Sequence, residues 1–198
     1  MTRRASFCAF LLVFPLLTAC GSSSRTTTTT VACQSRYWNG TVGTCLPQGW
    51  HAVDSVLLSE NGLPPEVVAA FQADAEVSGV YPTVTVTRQV MRANLTAEQF
   101  SAASIQAVSV LPEYKKLDQK TVSVDGREVA VHVYSAQLRP DRPVQRYYQM
   151  STVSGRSGFT FTGALPLSVD TALEQKVLLI LQNASFTEPV VAPAAAAE

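Results

Sequence analysis

The sequence contains few of the residues on which enzyme active sites and metal sites depend. Its 198 residues include two histidines, His51 and His132, in separate segments, and four cysteines. The chain has no Gly-x-Ser-x-Gly, His-Glu-x-x-His, phosphate-loop or dinucleotide-binding motif. A nucleophilic serine needs a base and an orienting acid, and these histidines supply no triad by sequence logic. We therefore expect a protein that is not an enzyme and that binds no cofactor or metal.

Charge is scarce and balanced, at 15 basic and 15 acidic residues. If a leader that contains Arg3 and Arg4 is cleaved, the remaining chain has 13 basic and 15 acidic residues. A slightly acidic chain has no basic surface for nucleic acid and no polybasic patch for a membrane. We expect no nucleic-acid partner.

A single long apolar run covers residues 7–17, behind the basic pair Arg3 and Arg4. It is shorter than the ~20 residues that a spanning helix needs, and Pro15 interrupts it, so a permanent transmembrane anchor is the weaker interpretation. Basic residues, an apolar core and small residues at the cut are typical of a signal peptide. An ordinary secretory leader that leaves Cys20 as a free thiol is the alternative.

The segment Leu17-Thr18-Ala19-Cys20-Gly21 resembles the lipobox of bacterial lipoproteins. The resemblance implies a signal peptide at 1–19, lipid on Cys20 and anchoring to the cell envelope outside the cytoplasm. Gly21 stands where inner-membrane retention is associated with aspartate. If the cell has two membranes, this resembles sorting to the outer membrane, facing the periplasm.

Two segments have compositions that favour flexibility. The segment 20–32 begins with the lipobox cysteine and contains a serine run at 22–24 and a threonine run at 26–30. We therefore predict a flexible tether. Residues 188–198 are rich in alanine and proline, and we predict a disordered tail. A single domain is therefore expected over 33–187.

Cys33 and Cys45 remain as a pair in an exported chain, after Cys8 leaves with the leader and Cys20 takes lipid. An exported, disulfide-permissive compartment favours a bridge between them. A metal site is the alternative, but no histidine or third cysteine lies nearby with ligand spacing.

Hydrophobic periodicity predicts a sheet with two helices. Valines and threonines alternate over 81–91, and Asp125-Gly126 is a strong hairpin signal. The segment 66–73 fits a strand or a helix, and we favour a strand. We expect a looped entry around Gly40 and Gly43. The predicted strands are 51–58, 66–73, 81–91, 120–124, 127–138, 144–153 and 159–164.

The two predicted helices carry recognisable ends and apolar stripes. Thr96 and Gln99 form a capping-box pattern at the first, and Ser168 is expected to cap the second, with Asp170 in its first turn. The predicted buried stripe of the first helix is Phe100, Ala103, Ala107, Val108 and Leu111. That of the second is Val169, Ala172, Leu173, Val177, Ile180, Leu181 and Ala184.

Several segments, in their order along the chain, resemble a known family. They are Pro47-Gln48-Gly49-Trp50, Thr83-Val84-Thr85-Val86, Leu95-Thr96-Ala97-Glu98-Gln99-Phe100, Tyr114-Lys115-Lys116-Leu117 and Val124-Asp125-Gly126, followed by a closing amphipathic helix. The family is that of the PsbP-like domains, which include the bacterial lipoproteins DcrB and LpqN. The resemblance implies an α+β fold, with a central antiparallel sheet packed by two main helices in an α/β/α sandwich. It also implies a binding or assembly factor without a shared catalytic motif. The loop from Cys33 to Cys45 departs from that family.

We expect this protein to bind an envelope protein through direct contact. Arg142, Arg146, Tyr147 and Tyr148 are residue types enriched at binding hot spots, and they form the candidate surface. The alternative is an ordinary hairpin with solvated arginines and tyrosines packed at the sheet edge. His132 lies on the expected wetter face of its strand, where we predict a surface histidine.

A small-molecule or lipid carrier is the alternative function. Its cavity would lie between the second helix and the sheet. The predicted lining is Phe159, Phe161, Val177 and Ile180, which would otherwise form a closed core.

Overall fold

A seven-stranded antiparallel sheet forms the centre of the computed structural model, which describes residues 31–60 and 63–188. A separate two-stranded hairpin precedes it. In chain order the elements are β1 (Cys33–Trp38), β2 (Gly43–Pro47), β3 (Trp50–Ala52), α1 (Ser55–Glu60), β4 (Val67–Ala73), β5 (Thr83–Val90), α2 (Ala97–Val108), β6 (Lys115–Val124), β7 (Arg127–Ala136), β8 (Gln145–Ser154), β9 (Ser157–Pro166) and α3 (Thr171–Gln182).

The strand order of the large sheet is β3-β4-β5-β9-β8-β7-β6. Gln72 pairs with Thr83, Thr83 with Ala164, and Ala136 with Gln145. These pairs place the β4–β5, β7–β8 and β9–α3 connections at one end of the sheet, called here the loop end.

The main core lies between the sheet and α3. The large fully buried side chains on this face come from adjacent strands, and α3 adds Val177 and Ile180. Alternation along β7 supplies Val129, Val131 and Val133 to the same core, as its sequence predicts. Helix α3, which has the longer predicted apolar stripe, therefore covers its face of the sheet more completely than α2 covers the other face.

Helix α2 covers part of the opposite face, and its packing differs from the predicted stripe. Its capping box is confirmed, because Gln99 N donates to Thr96 Oγ1 and Thr96 N donates to Gln99 Oε1. Phe100 is its one buried residue, whereas Ala103 and Ala107 are exposed. Alanine is small enough to fit either face of a helix, so it marks the buried side poorly.

The segment expected to be a looped entry forms a hairpin. β1 and β2 pair antiparallel, and the disulfide between Cys33 and Cys45 joins them with a Cα–Cα distance of 5.5 Å. Val42 and Leu46 pack into the main core. The predicted disulfide is confirmed, and the added segment is a lid on the core.

The predicted strand over 51–58 is wrong beyond its first residues. β3 ends at Ala52 and α1 begins at Ser55. The side chain of Asp54 accepts a hydrogen bond from Val56 N at 2.8 Å, and Asp54 O accepts one from Leu58 N. This side chain satisfies a backbone donor that a helix start leaves open, which favours helix over strand.

The expected Ser168 cap of the last helix is also wrong. Asp170 is the N-cap of α3, and its Oδ1 accepts from Leu173 N at 2.7 Å. The last helix therefore begins two residues later than the sequence pattern indicated.

Several expectations fall outside the described residues. The signal peptide 1–19, Cys20, most of the tether 20–32 and nearly all of the tail 188–198 belong to this part of the chain. Among the residues described, no helix is both long and apolar enough to cross a bilayer.

Candidate functional site: a cleft at the loop end

A cleft of about 490 Å³ opens at the loop end of the sheet, between the β4–β5 and β7–β8 connections. It is called here the loop-end cleft. Its floor comes from strand termini, and its sides come from the two loops. The lining residues are Gln72, Glu76, Gly79, Val80, Tyr81, Thr83, Leu138, Arg139, Arg142, Pro143 and Gln145.

The β4–β5 side of the cleft is a tight turn. Val77 and Val80 exchange backbone hydrogen bonds, of 2.9 and 3.2 Å, across Ser78 and Gly79. Both central residues have positive φ, 51° and 78°, as a type I′ turn requires. The turn places Tyr81 on the cleft wall with 45 % of its surface exposed.

The β7–β8 side is held by hydrogen bonds within its own loop. Gln137 Nε2 donates to Arg142 O at 2.9 Å and to Pro140 O at 3.3 Å, and Arg142 N donates to Arg139 O at 3.0 Å. Leu138 remains 52 % exposed. An ordered loop thus presents an apolar side chain to solvent.

Two arginines, Arg139 and Arg142, line the cleft together with Glu76. Arg139 Nε lies 3.2 Å from Asp141 Oδ1, and Arg142 Nε lies 3.8 Å from Asp141 Oδ2. These ion pairs are mostly exposed, at 60 to 67 % of side-chain surface, so each contributes little to stability. One carboxylate shared by two guanidinium groups leaves hydrogen-bond donors for a partner.

The structure separates the four residues predicted to form one binding surface. Arg142 lines the cleft, but Tyr147 and Tyr148 are 1 % and 0 % exposed and lie on opposite faces of β8. Arg146 is half-buried and its Nε has no hydrogen-bond partner. The proposed contact role of both tyrosines is therefore corrected, because the strand pleat buries them in two different cores.

Tyr147 belongs to a row of aromatic side chains on the α2 face. Tyr114, His132, Tyr134 and Tyr147 follow one another with ring centroids 5.1 to 6.0 Å apart. Burial raises the pKa of Tyr147 to about 12 and raises the pKa of Tyr134 still further. Both phenols are neutral at physiological pH, and they pack in the core beneath α2.

His132 is buried, in contrast to the predicted surface histidine. It is 2 % exposed, and its Nε2 lies 3.0 Å from the Tyr114 hydroxyl. Burial, with a smaller effect of Lys116, lowers its pKa, which keeps the ring neutral at pH 7. Tyr114, the residue before β6, covers His132 on β7. The alternation along β7 alone had predicted that His132 points to solvent.

The interface between α3 and the sheet is closed where the carrier alternative places a cavity. Phe159, Phe161, Val177 and Ile180 are 0 to 4 % exposed in one core cluster. A methyl group added at Gly163 would lie 2.7 Å from Val177 Cγ1, so the helix and sheet are in direct contact there. This filled core favours the binding factor over the carrier.

No group of three or more histidine, cysteine, aspartate or glutamate side chains within 31–60 and 63–188 could hold a metal ion. His51 Nδ1 lies 2.6 Å from Asp74 Oδ1, in a pair with 52 % and 59 % of side-chain surface exposed. His51 lies on the edge strand β3 and Asp74 just after β4, and no sequence pattern predicted this pair.

Two large apolar residues of the cleft, Tyr81 and Leu138, were not predicted as binding residues. Their loops are more than 50 residues apart in sequence, and they meet because β4, β5, β9, β8 and β7 are neighbours. Arg142 was a predicted contact residue, and the structure places it in the cleft with Arg139 of the same loop.

Solved structures share this fold. The solution structure of cyanobacterial PsbP (CyanoP) from Synechocystis sp. PCC 6803 matches with a TM-score of 0.54 and 14 % identity, over 81 % of this chain and 96 % of that one. The crystal structure of PA94, a protein of unknown function from Pseudomonas aeruginosa, matches with a TM-score of 0.53 and 12 % identity, over 80 % of this chain and 100 % of that one. No protein-family model and no curated protein matches the sequence. The predicted PsbP-like α+β fold is confirmed.

Proposed function

We propose that this chain is a lipid-anchored, non-enzymatic binding or assembly factor of the cell envelope, and that its loop-end cleft binds a partner protein. The observation that carries the proposal is the cleft itself. Tyr81 and Leu138 offer apolar contact, and Arg139 and Arg142 offer charged donors, on two loops that are ordered by their own hydrogen bonds.

The residue types in the cleft suit a protein partner. Tyrosine and arginine are enriched at hot spots, where a buried aromatic or guanidinium group carries much of the binding energy. Tyr81 and Leu138 are large apolar side chains, 45 % and 52 % exposed on facing loops. Burying them against a partner would add hydrophobic stabilisation that the free protein lacks.

The fold supports the non-enzymatic part of the proposal. Its structural neighbours include a PsbP, and the PsbP-like resemblance implies binding or assembly factors. The closed interface at Gly163 and Val177 gives no support to a carrier on the α3 side.

Anchoring through Cys20 is supported by the lipobox pattern and by the spacing between Cys20 and Cys33. Two or more acyl chains hold a protein at a bilayer stably, whereas one gives only marginal binding. If the cell has two membranes, the proposed location is the outer membrane, facing the periplasm.

Metabolic labelling tests the anchor. Labelled palmitate should enter the wild-type protein and should not enter Cys20→Ala, which should also leave the membrane fraction. Cys8→Ala is the matched control, since Cys8 lies in the leader and should not alter labelling of the mature protein. Equal labelling of Cys20→Ala would end the anchoring part of the proposal.

In-cell photocrosslinking tests the cleft. A photoreactive residue in place of Tyr81 should give a discrete protein adduct, and the same residue in place of Val90, which is 66 % exposed at the opposite end of the sheet, should not. Leu138→Ala with Arg142→Ala should reduce the Tyr81 adduct, whereas Arg92→Ala should leave it unchanged. An adduct that survives the double substitution would show that the cleft is not the contact surface.

A further inference from the structure

A second concave site lies on the other side of the molecule from the main core, between α2 and strands β6 to β8. It has a volume of about 230 Å³ and is called here the α2 groove. It is separate from the loop-end cleft and shares no residue with it. The lining residues are Ala97, Glu98, Ser101, Ala102, Ile105, Gln119, Glu128, Val129, Ala130 and Ser151.

The groove exists because α2 contacts the sheet along one side only. Phe100 is the buried residue of the helix, and it packs on Gly158, where an added Cβ would lie 2.4 Å from its ring. Phe100 thus fixes the helix over β8 and β9. Towards β7 the helix presents Ala97 and Ala102, which are too short to fill the space above Ala130.

Two buried polar atoms lie next to this groove without partners. Gln149 Oε1 and His132 Nδ1 make no hydrogen bond, although their residues are only 6 % and 2 % exposed. Gln149 and His132 are paired across β8 and β7, and each lies two residues along its strand from a groove residue, Ser151 and Ala130. Alternation puts all four side chains on the same face of the sheet.

An unpaired buried acceptor is costly and calls for a donor. The amide oxygen of Gln149 is an acceptor. His132 Nδ1 is an acceptor as well in the tautomer whose Nε2 carries the proton and donates to the Tyr114 hydroxyl oxygen, 3.0 Å away. Gln149 Oε1, and His132 Nδ1 in that tautomer, are therefore unpaired acceptors on the sheet face that borders the groove.

The charged residues that line the groove favour a positively charged ligand. Glu98 and Glu128 line it and are exposed, whereas none of its lining residues is lysine or arginine. The Thr96 hydroxyl and the local backbone lower the pKa of Glu98, so its carboxylate is ionised at neutral pH. The Lys116 ammonium donates to Oε1 of the lining residue Gln119 at 3.3 Å.

From these observations we propose that the α2 groove binds a small organic amine with an apolar body. The apolar part packs on Ala97, Ala102, Ile105 and Ala130, and the ammonium group pairs with the carboxylates of Glu98 and Glu128. The volume is below the usual range of roughly 300–1,000 Å³ for ligand sites, so the ligand is smaller than a typical drug.

A titration of the 15N-labelled full chain with 2-phenylethylamine tests the site. We expect saturable shifts of the Ala97, Ala102 and Ala130 amides, with a Kd on the order of 1 mM for a ligand this small. The neutral analogue 2-phenylethanol should bind at least about threefold more weakly, because it lacks the charge that the two glutamates attract. The anion 3-phenylpropanoate should not bind.

Variants separate the groove from the rest of the helix. Ala102→Leu should abolish the shifts by filling the groove, whereas Ala107→Leu, at an exposed position of the same helix outside the lining, should leave them unchanged. Glu98→Gln with Glu128→Gln should weaken the amine by several fold, and Glu66→Gln is the matched control. Equal binding of the amine and the alcohol would overturn the assignment of ligand class. Shifts that do not saturate, or that persist in Ala102→Leu, would overturn the site.

Discussion

Tyr147 and Tyr148 show how one step along a strand separates two identical side chains. Tyr147 stacks on Tyr134 beneath α2, with ring centroids 5.1 Å apart. Tyr148 lies in the main core, where its hydroxyl donates to Glu174 Oε1 of α3 at 3.0 Å. Because successive side chains of a strand point to opposite faces, a tyrosine pair is evidence of two buried faces as readily as of one binding surface.

The buried phenol of Tyr147 predicts a loss of stability at alkaline pH. Burial raises its pKa to about 12, against about 10 in the unfolded chain. The folded state keeps the proton longer, so this contribution is fully present below pH ~10 and is lost as the pH rises towards ~12. At pH 11 the loss amounts to about 1 kcal/mol. Urea denaturation of wild type and Tyr147→Phe at pH 9 and pH 11 measures it.

The substitution should flatten the pH dependence of the free energy of unfolding. Tyr81→Phe, at a residue that is 45 % exposed, is the matched control and should follow the wild-type slope. Parallel curves for Tyr147→Phe and wild type would contradict the assigned cause of the alkaline destabilisation.

Among the elements, α3 has the strongest local determinants, and its N-terminus gives a direct test. Asp170 Oδ1 accepts from Leu173 N, so Asp170→Ala should lower the free energy of unfolding by about 1 kcal/mol. Asp170→Asn should retain most of it, since asparagine caps as well. Ser168→Ala should change it little, because Ser168 precedes the cap. Thermal or urea unfolding distinguishes the two positions, and a larger loss at Ser168 would reverse the assignment.

The contact of α3 with β9 predicts a coupled pair of substitutions. Gly163→Ala places a methyl group 2.7 Å from Val177 Cγ1 and should cost about 1–3 kcal/mol by overpacking. Val177→Ala alone opens a small cavity and should cost about 2 kcal/mol. In the double variant the new methyl group enters that cavity, so the measured loss should be smaller than the sum. Strict additivity in urea denaturation would show that the two positions are not in contact.

Elements with local signals were predictable, and elements that depend on distant contacts were not. The hairpin at Asp125-Gly126 forms as predicted, with positive φ at both residues, and the ambiguous segment 66–73 is strand β4. The β1–β2 hairpin carries no alternating pattern. It forms because the disulfide and the core under α3 hold it, and only the disulfide could be predicted from its own residues.

The same distinction applies to the candidate site. The predicted contact residue Arg142 identified one wall of the loop-end cleft. The other wall comes from the turn at Ser78 and Gly79, and only the strand order brings it alongside. A single-sequence pattern contains no information on which loops of a sheet become neighbours, so half of the cleft could not be inferred.

At the scale of the whole molecule, the N-terminal hairpin closes the main core and also connects it to the proposed tether. Gly43 and Ser185 exchange backbone hydrogen bonds of 2.8 and 2.9 Å, and Thr44 Oγ1 donates to Ile180 O at 2.6 Å. These contacts hold β2 to the end of α3. β1 is the outer strand, largely exposed, and the disulfide ties its first residue to β2.

This arrangement predicts a moderate and local effect of breaking the disulfide. Cys33 and Cys45 are 12 residues apart, and closing a loop of this length restricts the unfolded chain by about 3 kcal/mol. Cys33→Ala with Cys45→Ala should lower the free energy of unfolding by up to that amount in urea, while β2 stays in place through Gly43 and Thr44.

Dithiothreitol should produce the same shift in the wild type and none in the double variant, which separates the disulfide from other effects of the reductant. Hydrogen exchange should then rise at the β1 amides and stay unchanged in β8 and β9. Global loss of protection would show instead that the large sheet depends on the bridge, and that the hairpin is part of the folding unit and not a lid on it.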